Sequence, residues 1–109
     1  MFNKGLPHKV TLYIPAEELA ESTAKLLAEL FGGSTSSKSI GYWIDAKGSL
    51  VEDNIIQVYA FAQELNQFAL SRVYNHALEV QRLANQDCVA VEIDGQLHFV
   101  DGRAAAAAA

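Results

Sequence analysis

Three carboxylates and a lysine crowd one stretch of this chain: Asp45, Lys47, Glu52 and Asp53. Acidic side chains gathered at a turn can hold a cation or grip a basic partner. Glu52 and Asp53 are adjacent, so on a strand they point to opposite faces. Any pairing must come from Asp45 approaching Glu52 across a turn at Ala46-Lys47-Gly48. The ordinary alternative is a solvated loop tip, because turn residues are usually polar. Trp43, the only tryptophan, stands just before the turn, where an aromatic ring serves either a subunit contact or a ligand platform.

A second set lies further on. Arg72, His76, Glu79 and Arg82 recur at helical spacing, so neighbours share one side. A His beside a Glu can act as a general base; the plainer role is a half-buried His under a surface charge ladder. His8 and His98 are far apart, and no His–His or His–Cys pair has the spacing of metal ligands, so no metal is expected. Cys88 follows a helical pattern, whose negative end opposes a reactive thiolate. No Ser–His–Asp set can be assembled. No catalytic residue is assigned, and no cofactor is named.

The elements that position these groups follow from hydrophobic period. Lys9–Ile14 alternates, with Val10, Leu12 and Ile14 on one face and Thr11 and Tyr13 on the other, which predicts a strand. Ala16–Phe31 carries a helical stripe through Leu19, Thr23, Leu26, Leu27 and Leu30, and Gly32-Gly33 stops it. Ser34–Ser39 is polar, a loop or an exposed strand start. Ile40, Tyr42 and Ile44 then share the core face of a strand, with Trp43 opposite. Ser49–Phe61 forms a long strand with apolar residues on both faces, as expected of a covered, central strand. Ala62–Asn85 is the longest helical pattern. Cys88–Ile93 and Gln96–Val100 are strands joined by the hairpin signal Asp94-Gly95.

The order strand, helix, strand, strand, helix, strand, strand predicts an α+β, ferredoxin-like βαββαβ fold with an extra C-terminal strand, an antiparallel sheet carrying both helices on one face. Residues 8–101 form the expected single domain, with tails at 1–7 and 102–109. The last six residues are alanine, so the 102–109 tail is not expected to be native structure. The other sheet face holds Thr11, Tyr13, Trp43, Gln57, Tyr59, Phe61, Cys88, Ala90 and Glu92, too apolar a mixture to stay wet. A homo-oligomer is therefore expected, with a trimer preferred over a dimer.

Half the residues are apolar, and the formal net charge is −5, so the chain reads as soluble and globular, and nucleic acid or an anionic membrane surface is disfavoured. No signal peptide or membrane span is visible, and a single cysteine fits a reducing, cytoplasmic setting.

Val10-Thr-Leu-Tyr-Ile-Pro15, Leu30-Phe-Gly-Gly33, Gly41-Tyr-Trp43, Gly48-Ser-Leu-Val-Glu52 and Val91-Glu-Ile-Asp-Gly95 together resemble a group of small uncharacterised bacterial proteins related in fold to the PII-like signalling proteins. The resemblance implies a trimeric ferredoxin-like regulator with a ligand in the clefts between subunits. The hairpin Tyr42–Asn54 would occupy the T-loop position and touch partners. Nucleotide binding is not carried over, since Gly32-Gly33-Ser34-Thr35 follows a helix rather than preceding one, the wrong order for a phosphate loop.

The leading expectation is thus an oligomeric PII-like regulatory or small-ligand-binding protein without catalytic activity, its binding residues being Lys38, Tyr42, Trp43, Asp45, Lys47, Glu52 and Arg72, with a protein partner contacting 45–53. One alternative is a cofactor-free monooxygenase- or isomerase-like enzyme of the dimeric ferredoxin-like barrel type, with Tyr13, Trp43, Tyr59, His76 or His98 lining an apolar pocket. The other is a pure protein-interaction module.

Overall fold

Strict alternation along the first strand decides which way the sheet faces. The computed structural model describes residues 1–102, so the alanine run expected to be a tail lies outside the described residues. In chain order the elements are β1 His8–Ile14, α1 Glu17–Phe31, β2 Thr35–Ile44, β3 Leu50–Ala62, α2 Gln67–Leu83, β4 Val89–Ile93 and β5 Gln96–Val100. The strands form one antiparallel sheet in the order β2-β3-β1-β4-β5. This is the expected ferredoxin-like arrangement with β5 added at an edge. The register Leu12↔Val58 and Leu12↔Val91 puts one apolar row across three strands. That row packs under Ala20 and Leu27 of α1 and Val73, Ala77 and Val80 of α2. Leu12, Ile14 and Leu27 have no exposed surface, and such burial stabilises by roughly 1.5–3 kcal/mol per side chain.

The helix ends show local chemistry at work. Gly32 adopts φ 94 and donates its N–H to the Ala28 carbonyl at 2.8 Å, closing α1 in the left-handed region that glycine enters freely. The second helix starts later than the sequence pattern predicts. Ala62 pairs with His8 and so belongs to β3, and the side chain of Asn66 accepts the Ala69 N–H at 2.8 Å as an N-cap. Replacing Asn66 by alanine is expected to lower stability by about 1 kcal/mol, read as an earlier urea midpoint, while Asn66→Asp should keep most of it. An unmoved midpoint in the alanine variant would show the cap to be idle.

The largest departure from expectation is in the β2–β3 hairpin. The β1–β3 ladder ends at Ile14↔Ile56, whereas β2 and β3 stay paired out to Ile44↔Leu50. Residues 50–55 of β3 therefore run past the end of β1, and the outer hairpin forms a two-stranded arm. Ile40, Tyr42 and Ile44, expected in the core, are 52%, 62% and 63% exposed. They do lie on the helix-side face, because Tyr42 pairs with Glu52 in the same register that pairs Ser36 with the core residue Val58. The start of α1 reaches only the base of the arm, where Glu17 meets Lys38. Among the described residues, no helix is long and apolar enough to cross a membrane.

Candidate functional site

The acidic hairpin tip does not assemble a cluster. Asp45 turns its carboxylate inward, and Oδ1 accepts the N–H groups of Lys47 and Ser49, each at 2.9 Å. Its backbone closes the turn through Asp45 N–H to the Ser49 carbonyl, with Gly48 at φ 81. Glu52 sits on the helix-side face opposite Tyr42. Asp53 sits on the other face, where its Oδ2 accepts the indole N–H of Trp43 at 2.7 Å. The turn thus takes Asp45 Oδ1 for its own N–H groups. Among the described residues, no group of three or more His, Cys, Asp or Glu side chains is placed to hold a metal ion.

The remaining predicted residues divide between two faces and two ends of the molecule. Lys38 projects from β2 and pairs with Glu17 at 2.9 Å. Each partner holds the other in its charged form: the lysine is pushed up by its hydrogen bond to Glu17, and the Glu17 carboxyl is pushed down. With Pro15, Ser39, Asn54, Ile55 and Ile56 they line a shallow groove of about 350 Å³. Trp43 lies on the face away from the helices and is half exposed. Arg72 is on α2, its guanidinium 5.8 Å from the Phe68 ring, and is not part of the hairpin. Of the residues named for the enzyme-like alternative, His98 alone lines a cleft between sheet and helix, about 410 Å³ with Leu70, Val73, Tyr74 and Val91. The strand register puts Tyr13, Trp43 and Tyr59 on the open face but His98 on the helix side, and His76 is on α2 beside α1.

The face away from the helices carries the row expected from the sequence: Thr11, Tyr13, Gln57, Tyr59, Phe61, Ala90 and Glu92, extended by Leu97 and Phe99 of β5. Phe61, Leu97 and Phe99 are 48%, 49% and 68% exposed. Its one central carboxylate is already satisfied. Glu92 accepts the Thr11 hydroxyl at 2.8 Å and the Gly95 N–H at 2.8 Å. A carboxylate so bonded costs far less to cover than a bare one. Cys88, expected at the start of β4, precedes that strand and is half-buried.

One groove brings together residues that sequence spacing did not connect. Where α1 ends, β2 begins and β3 ends, Phe31, Gly33, Ser34, Thr35, Tyr59 and Phe61 line a cleft of about 390 Å³. The Tyr59 and Phe61 rings meet edge to face at 6.0 Å, and the Lys9 ammonium stands 4.8 Å and 5.8 Å from their centres. Aromatic rings, a cation, two hydroxyls and a glycine-bared backbone suit a flat ring bearing polar edges. The signal was present in Gly32-Gly33-Ser34-Thr35, but its partners came into reach only through the pairing Thr35↔Tyr59.

His76 is structural. The buried Thr23 hydroxyl donates to the Leu19 carbonyl at 2.7 Å, and its oxygen lies 2.7 Å from His76 Nε2. With the hydroxyl proton committed, Nε2 carries the hydrogen that bridges the helices, an assignment made from the network. Burial pushes the imidazole below its ordinary range, and Glu79 opposes that only in part. A His with a lowered folded pKa binds fewer protons folded than unfolded. Its stabilisation is therefore present above about pH 6.5, the unfolded value, and is lost as pH falls through the folded one. Urea midpoints should decline over that window in the parent chain and lose that part of the decline in His76→Gln. An identical pH profile in the variant would remove His76 as the cause.

Sheet order, strand register and the placement of both helices define an α+β protein of the ferredoxin-like kind. Solved structures share this fold. A phage SAM lyase in complex with S-methyl-5'-thioadenosine superposes with a TM-score of 0.65 at 15% identity, covering 92% of this chain and 93% of that one. The same type of enzyme in its apo state gives 0.61 at 13% identity. CutA from Pyrococcus horikoshii, a PII-like fold protein, gives 0.55 at 16% identity over 79% of this chain and 80% of that one. No protein-family model and no curated protein sequence matches the chain.

Proposed function

We propose that this chain is a PII-like, oligomeric small-ligand-binding protein with a regulatory rather than catalytic role, working in the cytoplasm, with residues 8–101 acting as one unit. The observation that carries the proposal is the open sheet face. Phe61, Leu97, Phe99 and Trp43 are 48–68% exposed on one side of a sheet whose other side is the core. Monomeric proteins seldom leave so apolar a face to water. The outer arm adds to this, since Ile40, Tyr42 and Ile44 are also uncovered. Copies stacked on these faces, three in the form we favour, would bury both. The hairpin tip 45–53 would stay free for a protein partner.

The ligand site in this reading is the aromatic–glycine groove. Tyr59 and Phe61 belong to both the groove and the open face, so a neighbouring copy would close it. An adenosine thioether is the ligand class we favour. A purine ring suits the aromatic pair, and the Thr35 hydroxyl suits the polar edge of the base or ribose, while the Ser34 hydroxyl, which donates to the Ala24 carbonyl at 2.8 Å, can only accept. The fold shared with the phage SAM lyase bound to S-methyl-5'-thioadenosine, across nearly the full length of both chains, supports that choice. Titrating S-methyl-5'-thioadenosine, S-adenosylmethionine and ATP by calorimetry and thermal shift tests it. The thioether should raise Tm by several degrees at saturation. Silence from all three would sink the ligand assignment.

A further inference from the structure

We infer that the N-terminal segment Met1–Pro7 is a strap that partly occupies the aromatic–glycine groove and competes with whatever enters it, an inference that rests on the groove being the ligand site. Leu6 lines that groove beside Phe31, Gly32, Gly33, Tyr59 and Phe61; it is exposed, at 44%, but less so than Met1 and Phe2, which stand wholly in solvent. The bonds that hold the segment lie at its C-terminal end. Its exit from β1 is fixed where His8 Nδ1 meets Asp94 Oδ2 at 2.7 Å and the Lys9 N–H donates to Asp94 Oδ1 at 2.9 Å. The Asp94 N–H returns a bond to the Lys9 carbonyl at 2.9 Å. Asp94 holds a left-handed φ of 52 in the β4–β5 turn, so the anchor is built into a rigid hairpin. Beyond the anchor, residues 1–7 form no helix or strand, and Leu6 is the apolar side chain placed against the groove. Lys9, next to the anchor, lies over the same two rings. The segment is thus tethered beside the groove at Asp94 and touches it through one leucine, an arrangement that ligand can displace without disturbing the sheet.

A groove occupied by its own strap binds with an affinity reduced by the fraction of time the groove is open. Leu6→Ser and, separately, His8→Ala should therefore bind S-methyl-5'-thioadenosine about threefold or more tightly than the parent, with unchanged stoichiometry. Unchanged or weaker binding in Leu6→Ser would overturn the strap, since a leucine that merely walls the ligand lowers affinity when removed. A ligand-free arm keeps the strap testable should no ligand bind. In the parent chain, Leu6 methyl protons should show nuclear Overhauser contacts to the Phe31 and Phe61 rings, and their absence would overturn the strap independently of the groove's function.

Discussion

Replacing Ala90 by glutamate is expected to turn an assembly of this protein into single chains. Ala90 lies on the open sheet face, paired with Phe99 on β5 and half-buried even in the isolated chain. A glutamate there can reach water when the face is free. When a second sheet covers the face, the carboxylate is stranded among Tyr13, Phe99 and their counterparts with no cation nearby. The resident carboxylate, Glu92, escapes that penalty because Thr11 and the Gly95 N–H already bond it. A new one has no such partners. Burying an unpaired charge costs several kcal/mol after relaxation, and about 4 kcal/mol is roughly a thousandfold in the dissociation constant. Light scattering should report the single-chain mass for Ala90→Glu at concentrations where the parent is assembled, with an unchanged far-ultraviolet spectrum. An unchanged mass would mean that the copies meet elsewhere.

Truncating Leu12 to alanine should be the most damaging change in the core. Leu12 has no exposed surface and sits on the central strand, with Val58 on one side and Val91 on the other. The helices above it are held by the same row, so the space cannot collapse from one side alone. Leucine-to-alanine changes at such sites cost about 2–5 kcal/mol. Unfolding in urea, run at one fixed chain concentration because assembly shifts the midpoint, should show a loss in that range. A loss below about 1 kcal/mol would mean that the core can repack around the gap, contrary to the close packing described.

Much of this was legible in the chain because period two and period 3.6 report local geometry directly. Alternation puts Val10, Leu12 and Ile14 on the core face, and they are buried. Leu26 and Leu27 marked the inner side of α1, and they too are buried. The Asp94-Gly95 pair signalled a two-residue turn, and both residues adopt positive φ there. The errors share one cause. Alternation shows which side chains share a face, yet it is silent on how far a neighbouring helix extends over that face. Ile40, Tyr42 and Ile44 therefore read as core and stand on an uncovered arm. Turn chemistry adds local bonds that alternation does not report, as where Asp45 Oδ1 accepts the N–H groups of Lys47 and Ser49. The aromatic–glycine groove stayed hidden because it joins Gly33 to Phe61 and Leu6, segments brought together only by strand register. Its glycines carried a legible job as a helix stop, which masked a second one.

The central claim is that the open sheet face is covered by further copies of the same chain, and solution mass tests it most directly. Sedimentation equilibrium at micromolar concentration should return a multiple of the 11.8 kDa chain mass, three times it in the form we favour. A single species at the 11.8 kDa mass across the whole concentration range would contradict the account.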